Sequence, residues 1–280
     1  MSRLARRLPM CSGPIYTGLL DLLNLWPVGA YSLRRLTRRY FGACCMVRRV
    51  SDYSTATINF LLDGNLDTSS LLAFAGTGDL FVTALYDQSG NGTSMKNYAG
   101  NPPIVQAGVL VLVTSGGTRP GILGSGNSQY MLDQGAQFPI NGPFTRASVN
   151  SIPGSAPTSA FPIMTGTNDI ANEALRVASG HYQLYNQNNS FTSSVALPFN
   201  QANSVIENFN NTTSSLMVNG TQTSGSLGAI ADSATLISMT QGGFSGGSSI
   251  FSEVLQFNQL LDADDIGLIY ADQKNYWGTP

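Results

Sequence analysis

From Cys44 onward the chain is cut every few residues. Short runs rich in Val, Ile, Leu, Thr, Phe and Tyr alternate with clusters of Gly, Asn, Ser and Pro. Such punctuation leaves little room for helices of ordinary length and predicts many short strands packed as a sandwich or barrel. The expected strands are Cys45–Val50, Ala56–Leu61, Leu80–Tyr86, Val109–Val113, Gln129–Leu132, Thr145–Ser151, Pro162–Thr165, Ala174–Ala178, Tyr182–Asn186, Thr192–Leu197, Ser204–Asn210, Ser214–Thr223, Thr235–Thr240 and Ser249–Phe257. Within Ser214–Thr223, Asn219-Gly220 marks a type I′ hairpin turn, because both residues tolerate positive φ. Two short helices are expected beside the strands. One is Asp67–Ala75, capped by Asp67 and stopped by Gly76. The other follows Asp262, with Asp265 in its first turn, Ile266, Ile269 and Tyr270 as an apolar stripe, and Lys274 near its C-terminal end.

Charge is scarce and unevenly placed. Charged residues make up 11% of the 280, and the net charge is −2. An ordinary domain carries roughly 25%, so solubility here rests on Ser, Thr, Asn, Gln and Gly. Residues 1–50 hold nine Arg against Asp21 alone; the remainder is acidic. A basic head suggests an anionic or acidic partner, while no nucleic-acid-binding motif accompanies it. One His (His181) and three Cys (Cys11, Cys44, Cys45) exclude a His-rich or Cys-rich zinc site and a disulfide scaffold. Cys44 and Cys45 read as small buried side chains. Neither a metal nor a cofactor is expected. No run has the length of a transmembrane helix, and the apolar stretch before Pro27 carries Asp21 and Asn24, unlike a signal sequence.

Residues 1–40 read as an N-terminal arm and 41–280 as one domain. Leu19, Leu20, Leu22, Leu23, Leu25 and Trp26 are too few to bury their own apolar face, so they must lie on the body or on a partner. Residues 31–41 carry Leu33, Leu36 and Tyr40 at helical spacing, with Arg34, Arg35, Arg38 and Arg39 beside them. Leu22, Leu23, Trp26 and these four Arg are therefore the candidate anchor.

The tail Ile250-Phe251-Ser252-Glu253-Val254-Leu255-Gln256-Phe257, followed by Leu260-Leu261 and Asp264-Asp265-Ile266, resembles the concanavalin A-like, laminin-G-like jelly rolls. So do Arg119-Pro120-Gly121-Ile122-Leu123 and the Leu216–Gly220 hairpin. Upstream, Ala30-Tyr31-Ser32-Leu33-Arg34-Arg35-Leu36, Val47–Asp52 and Tyr86-Asp87-Gln88-Ser89-Gly90-Asn91-Gly92 resemble the catalytic domain of the fungal α-L-arabinofuranosidase B family, and bacteriophage virion proteins that reuse it. The resemblance implies an all-β, concanavalin A-like/LamG-like jelly-roll β-sandwich with an N-terminal arm and short peripheral helices.

It also implies where catalysis would sit. The family's nucleophilic Glu falls at Gln187, and its acid falls at Phe244, after Gly242-Gly243. Neither residue can act as one of the two carboxyl groups that glycoside hydrolysis requires, so no catalytic residue is expected. Glu173 and Glu253 are the best substitute pair, although Glu253 lies in the jelly-roll signature strand, where such a residue is structural. Asp87-x-Ser89-x-Asn91-Gly92 matches half of a calcium loop, but Tyr98 stands where the final Glu belongs; an Asx-turn network is the expected reading.

Together these features point to a structural virion protein, a capsid decoration or tail-surface protein. It would be made in the bacterial cytoplasm, attached to other virion subunits by its arm, and oligomeric. Host surface glycans are a further expected partner, through Tyr185, Gln187, Asn189 and Phe244. An arabinofuranosidase-like hydrolase is the alternative.

Overall fold

The computed structural model describes residues 16–125, 130–133, 142–154, 160–167, 170–186, 189–229, 236–239 and 248–280. In chain order its elements are β1 (Gly29–Ser32), β2 (Cys45–Arg49), β3 (Thr55–Ile58), α1 (Thr68–Ala75), β4 (Leu80–Leu85), β5 (Met95–Ala99), β6 (Pro103–Gln106), β7 (Val109–Leu110), β8 (Ile122–Ser125), β9 (Tyr130–Asp133), β10 (Phe144–Ser151), β11 (Ala160–Thr167), β12 (Ile170–Ala178), β13 (His181–Asn186), β14 (Asn189–Ala196), β15 (Asn203–Phe209), β16 (Ser214–Val218), β17 (Thr221–Gly225), β18 (Leu236–Met239), β19 (Ser248–Phe257) and α2 (Ala263–Trp277).

The strands form two antiparallel sheets, as expected of a jelly-roll sandwich. One has the order β1-β19-β10-β15-β16-β17, with β8 also on β19. The other runs β14-β13-β12-β11-β18-β9-β5-β4-β2-β3, with β6 and β7 beyond β4. Between them lies the main core, which includes Val47, Val82, Leu85, Phe144, Val149, Tyr182, Leu184, Val205, Phe209 and Val254. Cys44 and Cys45 are free thiols buried there. No helix among the described residues is long and apolar enough to cross a membrane.

A third layer covers the outer face of the smaller sheet. Ala147, Ile206, Leu255 and Phe257 point outward from it and meet Leu19, Leu20, Leu36, Leu261 and Ile269. The layer is built from residues 19–36 and α2. The boundary expected at residue 40 therefore does not divide the fold: from Tyr16 onward the arm is part of the sandwich. Its reason is apolar area, because α2 alone leaves much of that sheet face uncovered.

The helix expected at 31–41 is also absent. Gly29–Ser32 is instead a strand, paired residue for residue with Gln256 to Glu253. Leu33 and Leu36 are buried, as their spacing suggested. They are buried in extended chain, where backbone pairing and side-chain ligation outweigh the short helix. Gly18 permits the crossing: a Cβ there would lie 2.2 Å from the Leu36 carbonyl oxygen, and Leu20 N–H donates to that same oxygen at 2.9 Å.

Local signals elsewhere performed as their chemistry requires. Asp67 accepts from Ser70 N–H at the start of α1, and Asp262 from Asp265 N–H at the start of α2. Asn219 and Gly220 have φ of 49° and 83°, the paired positive values of a type I′ turn.

Candidate functional site

The motif of sharpest resemblance is a latch. Asp87 Oδ1 accepts from Ala30 N–H (2.9 Å) and Ser89 N–H (3.0 Å); Oδ2 accepts from Ser89 Oγ (2.6 Å), Asn91 N–H (3.2 Å) and Gly92 N–H (3.3 Å). Gln88 accepts from Leu36 N–H and donates to the carbonyls of Ser32 and Arg34. Asn91 Nδ2 donates to the Val28 carbonyl at 2.7 Å, and Trp26 Nε1 to the Ser89 carbonyl at 2.7 Å. The whole loop thus binds the backbone of residues 26–36. Its carboxylate is occupied by N–H and O–H donors, which makes the Asx-turn reading correct.

The conspicuous Glu253 is a second tie. It is fully buried on β19 and accepts from Arg34 Nε (2.7 Å) and Nη2 (3.1 Å), Ser32 Oγ (2.9 Å), Gln273 Nε2 (3.1 Å) and Trp277 Nε1 (3.2 Å). Burial raises its pKa, but the Arg34 charge and these donors outweigh that and hold it below the ordinary glutamate value. Arg34 also pairs with Asp272 on α2. Asp272 sits above its usual value because partial burial outweighs the attraction of Arg34. Glu253 therefore joins β1, β19 and α2. Its carboxylate is buried and accepts all five of these hydrogen bonds. Glu173 lies on β12, in the other sheet, opposite Asn186.

A further buried pair, Arg146 with Glu207, lies inside the sandwich. Arg146 Nε donates to Glu207 Oε1 at 2.9 Å, and the guanidinium lies 5.5 Å from the Phe209 ring centroid. Burial pushes the Glu207 carboxyl above its ordinary value despite Arg146.

The anchor residues do not form one face. Arg34 is buried, Arg35 lies over the Tyr16 ring and donates to the Leu62 carbonyl, Arg38 approaches Asp21 at 3.8 Å, and Arg39 lies 5.6 Å from the Trp26 ring centroid. Leu23 packs against the outer core, whereas Leu22 and Trp26 remain 50% and 37% exposed. Extended chain alternates its side chains; the helical wheel that grouped the four Arg does not apply.

The expected glycan surface is likewise divided. Tyr185 stands opposite Ser190, and Asn186 opposite Asn189, so Tyr185 and Asn189 fall on opposite faces of the β13–β14 hairpin. Asn189 Nδ2 donates to the Leu227 carbonyl at 3.0 Å, and Asn186 Nδ2 to the Ala229 carbonyl at 2.8 Å. These two amides hold the chain after β17. Gln187 and Phe244 lie outside the described residues.

Tyr185 instead joins residues the sequence did not single out. It is half-buried on the outer face of β13, with the Arg176 guanidinium 4.9 Å from its ring centroid. Arg176 Nε donates to Gln183 Oε1 at 2.9 Å, and Gln183 Nε2 donates to Thr192 Oγ1 at 2.9 Å. Arg176, Gln183 and Thr192 are register partners across β12, β13 and β14. The alternation in Arg176-Val177-Ala178 and Tyr182–Asn186 was the available signal, since strand faces follow from it.

No protein-family model matches the chain, and no curated protein matches it in sequence. Solved structures do. A GH54 α-L-arabinofuranosidase soaked with a cyclic sulfate inhibitor aligns with a TM-score of 0.66 at 18% identity, over 88% of this chain and 62% of that one. A sialidase of Trypanosoma rangeli in complex with sialic acid aligns at 0.51 and 12%, over 71% and 32%. The binding domain of botulinum neurotoxin DC in complex with SialylT aligns at 0.53 and 13%, over 70% and 51%. The chain thus spans 62% of the length of the arabinofuranosidase it matches. At these identities the likeness establishes the fold alone, a β-sandwich shared with these structures.

Proposed function

We propose that this chain is a non-hydrolytic carbohydrate-binding sandwich displayed on a bacteriophage particle, as a capsid decoration or tail-surface protein. The observation that carries the binding function is the outward row Arg176–Gln183–Thr192 beside Tyr185. Cross-strand hydrogen bonds fix a guanidinium, an amide and a hydroxyl next to an aromatic ring. Fixed planar polar groups and a ring suit the hydroxyls and the apolar face of a sugar. Supporting the absence of hydrolysis are Gln187 and Phe244 at the positions where the resemblance puts carboxyl groups, together with the structural role of Glu253. The virion role rests on the phage resemblance and the low charge; attachment would use the exposed Leu22 and Trp26 together with residues 1–15.

A broad glycan array probed with the full chain tests the binding. Binding to defined glycans, weakened at least fivefold by Tyr185→Ala with an unchanged melting temperature, is expected. Flat curves across the array would remove the reading. Incubation with 4-nitrophenyl α-L-arabinofuranoside is expected to release no nitrophenol; turnover would restore the hydrolase alternative. Immunogold labelling of particles from cells carrying the gene tests the location, and unlabelled particles would remove the virion role.

A further inference from the structure

A different part of the molecule carries a built cavity. It opens between the start of the described chain, the loop around Asp63 and the last turns of α2, and encloses about 290 Å³. Tyr16, Asp63, Arg119, Asp272, Asn275 and Tyr276 line it. A second cavity of about 260 Å³ adjoins it across Arg119, Asn275 and Tyr276. The first is close to the lower end of the roughly 300–1,000 Å³ usual for ligand pockets, with room for one sugar ring.

Its polar groups are fixed before any ligand arrives. Asn65 is the hub: Asp63 accepts from its backbone N–H (3.0 Å) and its Nδ2 (2.7 Å). Asn65 Oδ1 in turn accepts from Arg119 Nη1 and Tyr276 Oη, both at 2.7 Å. Arg119 Nε also donates to the Tyr276 carbonyl at 2.9 Å, with the guanidinium 3.8 Å from the ring centroid. Asp272 is oriented by Arg34. Among the described residues, the Asn275 side chain makes no hydrogen bond, so its amide is available at the wall shared by both cavities.

We infer that the cavity lined by Tyr16, Asp63, Arg119, Asp272 and Asn275 forms a second saccharide site, for a neutral sugar with adjacent hydroxyl groups. Two carboxylates, Asp63 and Asp272, face two guanidinium groups, Arg34 and Arg119, so the lining carries no net charge. That balance disfavours an anionic sugar such as a sialoside. Carboxylate oxygens accept from sugar hydroxyls, and the Asn275 amide both donates and accepts. Because Asp63, Arg119 and Asp272 are held by their neighbours, binding has only the exposed Asn275 side chain to order. The inference shares the carbohydrate-binding reading above but rests on different residues.

Saturation-transfer difference NMR on the full chain tests it, with neutral methyl glycosides (of arabinofuranose, galactose, glucose and mannose) and sialyllactose as probes. Saturation of at least one neutral glycoside is expected, with none for sialyllactose. Asn275→Trp, which fills the shared wall, should reduce the signal to background, and Asn275→Ala should weaken binding about threefold. These comparisons are made in the Tyr185→Ala background, where the outer-face site no longer contributes to the signal. A signal untouched by Asn275→Trp in that background would overturn this site, and a signal lost with Tyr185→Ala alone would overturn it and keep the outer-face one. No signal from any neutral glycoside would overturn this site, while the oligosaccharide array independently judges the other. Stronger saturation of sialyllactose than of the neutral glycosides would overturn the assignment of sugar class.

Discussion

Glu253 concentrates the energetics of this protein at one side chain. Removing one member of a buried ion pair leaves the other charge uncompensated, so Glu253→Gln should cost about 3 kcal/mol in urea unfolding. Replacing Arg34 and Glu253 together with apolar residues should cost less than the sum of the single changes, which a double-mutant cycle reads directly. The same carboxyl sets a pH dependence. Its folded pKa is depressed, so its stabilisation is present above the ordinary glutamate range and is lost as pH falls through the folded value. Glu207 and Asp272 have raised values and act oppositely: their share is complete below the unfolded value and is lost as pH rises through the folded one. The Glu253 contribution should therefore fall below pH ~4, and the difference in stability between the wild type and Glu253→Gln should shrink there. An identical acid limb in both proteins would show that Glu253 does not govern it. From sequence, Glu253 could be marked as structural, but its partner could not be found, because Arg34 lies far from it in the chain and was grouped with three other Arg.

At the scale of elements, the Tyr86–Gly92 loop and the strand β1 form one unit. Asp87→Ala removes a carboxylate that five donors share, and hydrogen bonds to a charged group are worth about 1.5–3 kcal/mol net. The expected loss is about 2 kcal/mol, with amide hydrogen exchange accelerating selectively over residues 26–36; uniform acceleration would deny the latch. The β16–β17 hairpin offers a smaller test. Gly220 has φ of 83° and a Cβ there would meet the Tyr270 ring at 2.8 Å. Gly220→Ala should cost at least about 1 kcal/mol from backbone conformation alone. Hairpin, caps and most strands were legible because each depends on neighbours within a few residues. β1, β5 and β6 were not, since pairing with distant strands makes them extended.

For the molecule as a whole, the arm is the outer layer of the smaller sheet. A chain starting at residue 41 would expose Ala147, Ile206, Leu255 and Phe257 and leave Glu253 without Arg34. Such a truncation should be insoluble or bind a hydrophobic dye strongly. A soluble, cooperatively folding product would instead restore residue 40 as a domain boundary.

Short strands, turn residues and helix caps were settled by the sequence, because alternation, positive-φ turns and capping are local chemistry. The low charge was settled by composition. Only the tertiary structure decided which faces these strands present and what lies beside them. It put Tyr185 with Arg176 and Gln183 rather than Asn189, since neighbours on a strand alternate between faces. It also made Arg34, one of the four arginines of the expected anchor, a buried tie, because the apolar outer face of a sheet had to be covered and residues 19–36 were the chain that covers it.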